Sequence, residues 1–242
     1  MLMFARFNPD TPGKLVAHAF SYEHMEVAAY ELLARVAQRA GDLETVAIAN
    51  EIAGEEREMA GRLEANFDRA VAASLREQGP DEVDAQLNSY LADAHAIEEQ
   101  SIALLEGGHK IVEESRAKAL FEDHLAETRR HEREVKERLE ERGSSPSRIK
   151  DIGMRLGGLH IGAFFGAQPD TPAKLIGFAF AFEHLEIAGY EQLRRVAERA
   201  GDQETAGLAV RVADEEREAA TRIAALFDSA VEASLAEQGI AG

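Results

Sequence analysis

The stretch FAFAFEHLEIAGY, residues 178 to 190, sets two carboxylates and an imidazole, Glu183, His184 and Glu186, into what otherwise reads as the apolar face of a buried helix. AHAFSYEHMEVAAY, residues 17 to 30, carries Glu23, His24 and Glu26 in the same order. Acidic residues are plentiful in this chain, so the informative ones are those that interrupt the apolar stripe of their own helix. Leu87, Leu91, Ala94, Glu98, Ser101 and Leu105 form one such stripe. Phe121, His124, Glu127 or Thr128, His131 and Val135 form a second. Leu175, Ala179, Phe182, Glu186, Gly189 and Leu193 form a third, with Glu183 at its margin, and Ala209, Val212, Glu216, Ala219, Ile223 and Leu226 form a fourth.

Four helices therefore each offer an inward carboxylate, and two of them offer nearby histidine, His124 and His131 on one and His184 on the other. Burying isolated carboxylates costs several kcal/mol apiece, so such a cluster demands cations, paired bases or protonation. Helical bundles meet this demand with a carboxylate-bridged di-iron or di-manganese centre, built from one Glu on each of two helices and a Glu-x-x-His on each of the others. Oxygen and imidazole donors suit two divalent ions, Fe or Mn, and there is no cysteine to favour a softer metal. The fit to that pattern is partial. Glu127 has His124 at i−3 and His131 at i+4, and the position three after Glu216 is Ala219, so the site is rich in carboxylate and poor in histidine. The alternative is a metal-free network of these carboxylates with arginines such as Arg130 or Arg217. His24 and His184 lie about 100° round the helix from the preceding Glu, which suits a ligand, an edge position bonded to a carboxylate, or a structural place. Tyr30 and Tyr190 read as packing residues with a satisfied hydroxyl.

The elements that must hold these residues follow from composition. With 242 residues and 45% hydrophobic content the chain can bury one large core or two small ones. Ala, Glu, Leu and Arg dominate and there are only 6 Pro, the composition of long helices, so the expected fold class is all-α. Laying residue n over n+160 aligns PDTPGKL with PDTPAKL and EEREMAGR with EEREAATR, and 43 of the 71 pairs from Pro9 to Gly79 are identical. This reads as an internal duplication, too long in period for a solenoid. Residues 1–79 and 167–239 are the two copies. In each, Asp-Thr-Pro starts a helix that Gly-Asp ends after Ala40 or Ala200, and a second helical run continues through Phe67 and Leu75, or Phe227 and Leu235, to Gln-Gly.

Between the copies lies a different hairpin, 84–142, whose first helix is expected to stop at Gly107-Gly108. A connecting helix is expected over 146–159, with Ile149, Ile152, Leu156 and Leu159 on one face, before the second hairpin at 171–237. The expected organisation is an N-terminal hairpin, 1–79, and a helical bundle, 80–242.

The formal charge of -18 makes nucleic acid and membrane surfaces poor partners and cations good ones. No apolar run reaches bilayer length and MLMFARFNPD has no signal-peptide pattern, so the cytoplasm is the expected location. There is no GxxxxGK[ST] or GxSxG, and nothing selects a reaction or substrate, so catalytic residues are unassigned.

YLADAHAIEEQ, FEDHLAETRRHEREVKERLE, FEHLEIAGYEQL and VADEEREAA, in that order, resemble the core helices of the YciE/YciF-type ferritin-like proteins, a bacterial stress-associated family, over about residues 86 to 235. The resemblance implies a ferritin-like four-helix bundle with a di-metal site at Glu98, His124, Glu127, Glu183, Glu186 and Glu216, with Glu215 beside them. His131 stands where relatives are expected to carry Gln. The first copy, with Glu23, Glu26 and Glu56 as a second candidate cluster, has no middle hairpin of its own. It is expected either to pack outside the bundle or to pair with another subunit, and a homodimer or higher homo-oligomer through this hairpin is the expectation. A ferritin-like di-metal protein holding two Fe or Mn ions between the middle hairpin and the second hairpin is the leading functional expectation, with oxygen- or peroxide-related redox chemistry in a stress response as the natural class if it is catalytic. A non-catalytic helical interaction protein with structural carboxylates is the alternative.

Overall fold

Apolar stripes at helical spacing leave water by packing against one another. In the computed structural model, which describes residues 11–78, 82–145 and 171–240, they do so as eight helices with no strand among the described residues. These are α1 (Thr11–Ala40), α2 (Leu43–Glu64), α3 (Phe67–Gln78), α4 (Val83–Ile111), α5 (Ser115–Glu141), α6 (Thr171–Ala200), α7 (Gln203–Ala224) and α8 (Phe227–Glu237). The fold is all-α, as expected. No helix among the described residues is long and apolar enough to cross a membrane. The connecting helix expected over 146–159 lies outside the described residues.

The hairpins α4–α5 and α6–α7 pack into a four-helix bundle. Its interior has two apolar regions. Leu87, Leu91, Val135, Leu139, Leu193 and Val212 fill one end. Leu105, Phe121, Leu175, Ile176, Ile223 and Phe227 fill the other. At the turn between α6 and α7, Gly201 adopts φ 74°, a left-handed conformation that glycine tolerates at little cost. Asp202 follows and caps α7 by accepting from Thr205 N at 2.9 Å. Arg138 and Arg142, near the end of α5, bind the same carboxylate at 2.9 and 2.5 Å and fasten this turn to the neighbouring hairpin.

The first hairpin packs outside the bundle, with α1 against α6. The contacts are reciprocal, as an approximate twofold axis requires. The His24 and His184 rings stack with centroids 3.5 Å apart. Arg195 reaches Asp68 and lies over Phe67, while Arg35 reaches Asp228 and lies over Phe227. Short helices α3 and α8 close the helix starts: Ser74 Oγ accepts from Gly13 N at 3.0 Å, and Ser234 Oγ from Ala173 N at 2.9 Å.

Two boundaries differ from the sequence expectation. The second run of each copy is not continuous but breaks at Ala65–Asn66 and at Ala225–Leu226. The turn buries Phe67 and Phe227 completely and brings Ser74 and Ser234 to the helix starts they cap. Helix α4 does not stop at Gly107-Gly108 but runs to Ile111, and Val112 is the first extended residue. Gly108 is a packing glycine: a Cβ there would come within 2.7 Å of the Phe121 ring, whereas one at Gly107 would meet nothing within 4 Å.

The two adjacent glycines therefore separate by mutation. Gly108→Ala should destabilise the fold by about 1–3 kcal/mol through overpacking, whereas Gly107→Ala should stabilise it by roughly 0.5–1 kcal/mol. Urea unfolding followed by circular dichroism measures both, and equal effects would contradict the packing role of Gly108.

Candidate metal centre

Between the two apolar regions, each helix of the bundle contributes polar side chains at core positions. Glu98, Glu183, Glu186 and Glu216 are all buried to within 1% of complete exclusion, as are His124 and His131. They come from α4, α6, α6, α7, α5 and α5 respectively, so the centre exists only when all four helices are packed. Thr128, not Glu127, occupies the inward position between the histidines, and its hydroxyl donates to His124 O at 2.9 Å.

The donors form two adjacent groups. Ligand atoms of His124, Glu183, Glu186 and Glu216 lie within 4.8 Å of one another, and those of Glu98, His131 and Glu216 do likewise. Glu216 belongs to both. His124 Nε2 is 2.9 Å from Glu183 Oε2 and 3.7 Å from Glu216 Oε2. His131 Nδ1 is 2.8 Å from Glu216 Oε1 without hydrogen-bond geometry, and 3.8 Å from Glu98 Oε1. Glu98 Oε2, Glu186 Oε1, both oxygens of Glu216 and His131 Nδ1 are buried with no hydrogen-bond partner. A buried acceptor left without a donor is costly, and several converging on one space describe a place for cations. The charge count agrees: the four buried carboxylates carry four negative charges, which two divalent ions balance.

A surrounding layer holds the donors in place. Glu127, one of the residues expected as a ligand, is about one-third exposed and belongs to neither group. It lies 3.0 Å from His124 Nδ1 and accepts from Arg222 at 2.5 Å. Glu215 lies 2.5 Å from His131 Nε2 and is paired with Arg130. The Tyr190 hydroxyl donates to Glu98, and Ser101 Oγ donates to Glu186 at 3.3 Å. Tyr190 thus has the satisfied hydroxyl expected of it, here on a carboxylate of the cluster. Of the arginines considered as counterions, Arg130 serves Glu215, while Arg217 pairs with Asp214 and Glu191 outside the cluster. Arg222 was not visible as a partner because its contact to Glu127 spans two helices. His184 is neither a ligand nor bonded to a carboxylate but takes a structural place: its Nδ1 bonds Phe180 O at 2.8 Å and its ring stacks on His24, outside the bundle core.

The first copy gathers Glu23, Glu26 and Glu56, also within 4.8 Å of one another, but at half-buried or exposed positions and with no histidine.

Burial, reinforced by the Glu216 charge, pushes the Glu98 carboxyl up to about 8. The same causes push Glu186 well above the ordinary carboxylate range. Burial raises Glu183 to about 7 against the opposing pull of His124. For Glu216 burial also acts upward, but His131 and His124 outweigh it and leave this carboxyl below its usual value. Burial would lower both histidines; Glu183 overrides it for His124, which ends well above its usual value, and Glu216 does so for His131, which reaches about 9. Glu127 sits at about 2, held down first by His124, with burial opposing and Arg222 adding to it.

The chain belongs to the family described as Domain of unknown function (DUF892), which matches residues 10–76 and 83–236. No solved structure matches the chain significantly.

Groups with raised folded-state values bind protons more tightly folded than unfolded. Their stabilisation is full below the unfolded values and is lost as pH rises through the folded ones. For Glu98, Glu183, Glu186 and His131 that window runs from the ordinary carboxylate range up to about 9. The Tm of the protein in chelator should therefore fall steadily across this window, and the fall should shrink in Glu98→Gln. A flat or rising Tm in thermal denaturation would contradict this assignment.

Proposed function

We propose that this member of the DUF892 family is a ferritin-like di-metal carboxylate protein that holds two divalent cations, Fe or Mn, inside the α4–α7 bundle. The observation that carries the reading is the set of buried, unpartnered donor atoms on Glu98, Glu186, Glu216 and His131, arranged in two groups that share Glu216. His124, Glu183 and Glu186 would hold one cation and Glu98 and His131 the other, with Glu216 common to both. Such a pair of redox-active ions supplies sites at which dioxygen or peroxide can bind and be reduced.

The chain's own residues supply the rest. Glu127 and Glu215 orient His124 and His131 through the ring nitrogens turned away from the centre, in the manner of outer carboxylates behind metal-bound histidines. Arg222 and Arg130 neutralise those outer carboxylates, which leaves the four inner ones for the cations. The Tyr190 and Ser101 hydroxyls fix the carboxylate rotamers of Glu98 and Glu186. The apolar regions on either side keep bulk water away. The resemblance to YciE/YciF-type proteins supports the di-metal site and a role in stress response, whereas redox activity toward oxygen or peroxide rests on the open positions of a carboxylate-bridged metal pair. A purely structural carboxylate network is disfavoured by the unpartnered atoms, because a network without cations would gain by pairing them.

Glu98→Gln/Glu186→Gln tests the reading in a fold that should tolerate it, since both carboxyls already favour their neutral form without metal. Wild type should bind about two Mn2+ per chain, by titration calorimetry and by metal analysis, consistent with a two-metal centre. With free Mn2+ at a hundred times Kd its stability should rise by about 2.7 kcal/mol for each site filled, roughly 5.4 kcal/mol for both. In chelator at neutral pH the double variant should match or exceed the Tm of wild type, because Gln takes up no proton on folding, and it should show no response to Mn2+. Wild type that binds neither Mn2+ nor Fe2+ would overturn the proposal.

A further inference from the structure

We propose that the uncovered face of α1 and α2 is an interface between two copies of this chain, where their first hairpins close face to face into a second four-helix bundle. The inference is independent of the metal reading above. Its starting point is a comparison of positions n and n+160. On α6, Leu175, Phe182, Leu193 and Val196 are buried in the bundle; their counterparts on α1, Leu15, Tyr22, Leu33 and Val36, are exposed, Tyr22 by 60%. On α7, Leu208 and Ala219 are buried, while their α2 counterparts Ile48 and Met59 are exposed. Nearly every large exposed apolar side chain among the described residues thus belongs to the first hairpin, and each of these six stands where the like hairpin is covered by α4 and α5. A contiguous apolar face of this kind marks an interaction surface.

A second observation points the same way. Asp202 is sealed by Arg138 and Arg142 from the hairpin packed beside it, whereas Asp42, at the equivalent turn, caps α2 but is exposed and has neither arginine. The first hairpin has the form of a bundle half without the other half.

The geometry selects a second copy as the occupant. The inward faces of α4 and α5 are already filled by α6 and α7, so the open apolar face a second copy offers is the same one, and a twofold axis satisfies both together. The dimensions suffice. The 22 residues of α2 span roughly 33 Å, and two adjacent helices are about 20 Å wide. The face then measures on the order of 700 Å², close to the ~800 Å² per partner of a stable complex. Glu23, Glu26 and Glu56 lie midway along it and would meet their own images, so like charge opposes closure and neutralising them strengthens it.

Analytical ultracentrifugation of the full chain, across a concentration series from submicromolar to near-millimolar, tests this. Wild type should show a monomer–dimer equilibrium. Leu33→Glu should abolish the dimer at unchanged Tm of the monomer, Glu26→Gln should tighten it severalfold, and Val210→Glu, an exposed apolar position on α7, should leave it unaltered. A wild type that stays monomeric throughout would overturn the proposal. So would a Leu33→Glu variant that remains dimeric, or one that instead loses thermal stability as a monomer, which would place another part of the same chain on this face. Weakening by Glu26→Gln would show that Glu26 does not face its own image and would overturn the face-to-face arrangement.

Discussion

Everything in this bundle is arranged around four carboxylates that water cannot reach. Glu98, Glu183, Glu186 and Glu216 occupy positions where their helices would otherwise carry leucine or alanine, and each is buried essentially completely. Four buried negative charges are untenable without four positive ones. Two divalent cations would supply them directly. Without cations the same balance is reached by protons, two on the histidines and two on the carboxyls whose affinities burial raises most, Glu98 and Glu186. Metal at this site would therefore compete with protons for one space, and the fold would be held together by either.

The outer groups allow that exchange without rearrangement. Arg222 and Arg130 satisfy Glu127 and Glu215, so these carboxylates are free to act on the far nitrogens of His124 and His131 and do not join the charge count inside. Apolar side chains pack on both sides of the cluster. The long helices α4 to α7 carry the donors near their middles, where packing on both sides limits their motion. A donor set mounted in this way is preorganised for ligands that need fixed positions.

Much of this was legible in the sequence because helical periodicity is strict: a carboxylate spaced three or four residues from leucines on both sides has one direction to point. Glu98, Glu186 and Glu216 were identifiable on that ground alone, and so were His124 and His131. What periodicity cannot show is contact between helices. The hydrogen bond from Tyr190 to Glu98, the pairing of Arg222 with Glu127 and the stacking of His184 on His24 all depend on which helix lies beside which. The same limit explains Gly107-Gly108, which reads as a stop signal but includes a glycine set by the approach of Phe121. It also explains the break at Asn66, where the burial of Phe67 redirects a chain whose local pattern would continue as helix. The two like hairpins make the point most plainly: nearly the same residues are buried in one and exposed in the other, because only one has a neighbour on that face.

The central claim concerns where cations sit, and anomalous diffraction from crystals soaked in Mn2+ addresses it directly. The account predicts two peaks inside the α4–α7 bundle on either side of Glu216, about 3.5–4 Å apart, one beside His124 and the other beside His131. A soaked crystal with no anomalous density between these residues, or with the carboxylates paired to one another and the metal bound only at the surface, would contradict it.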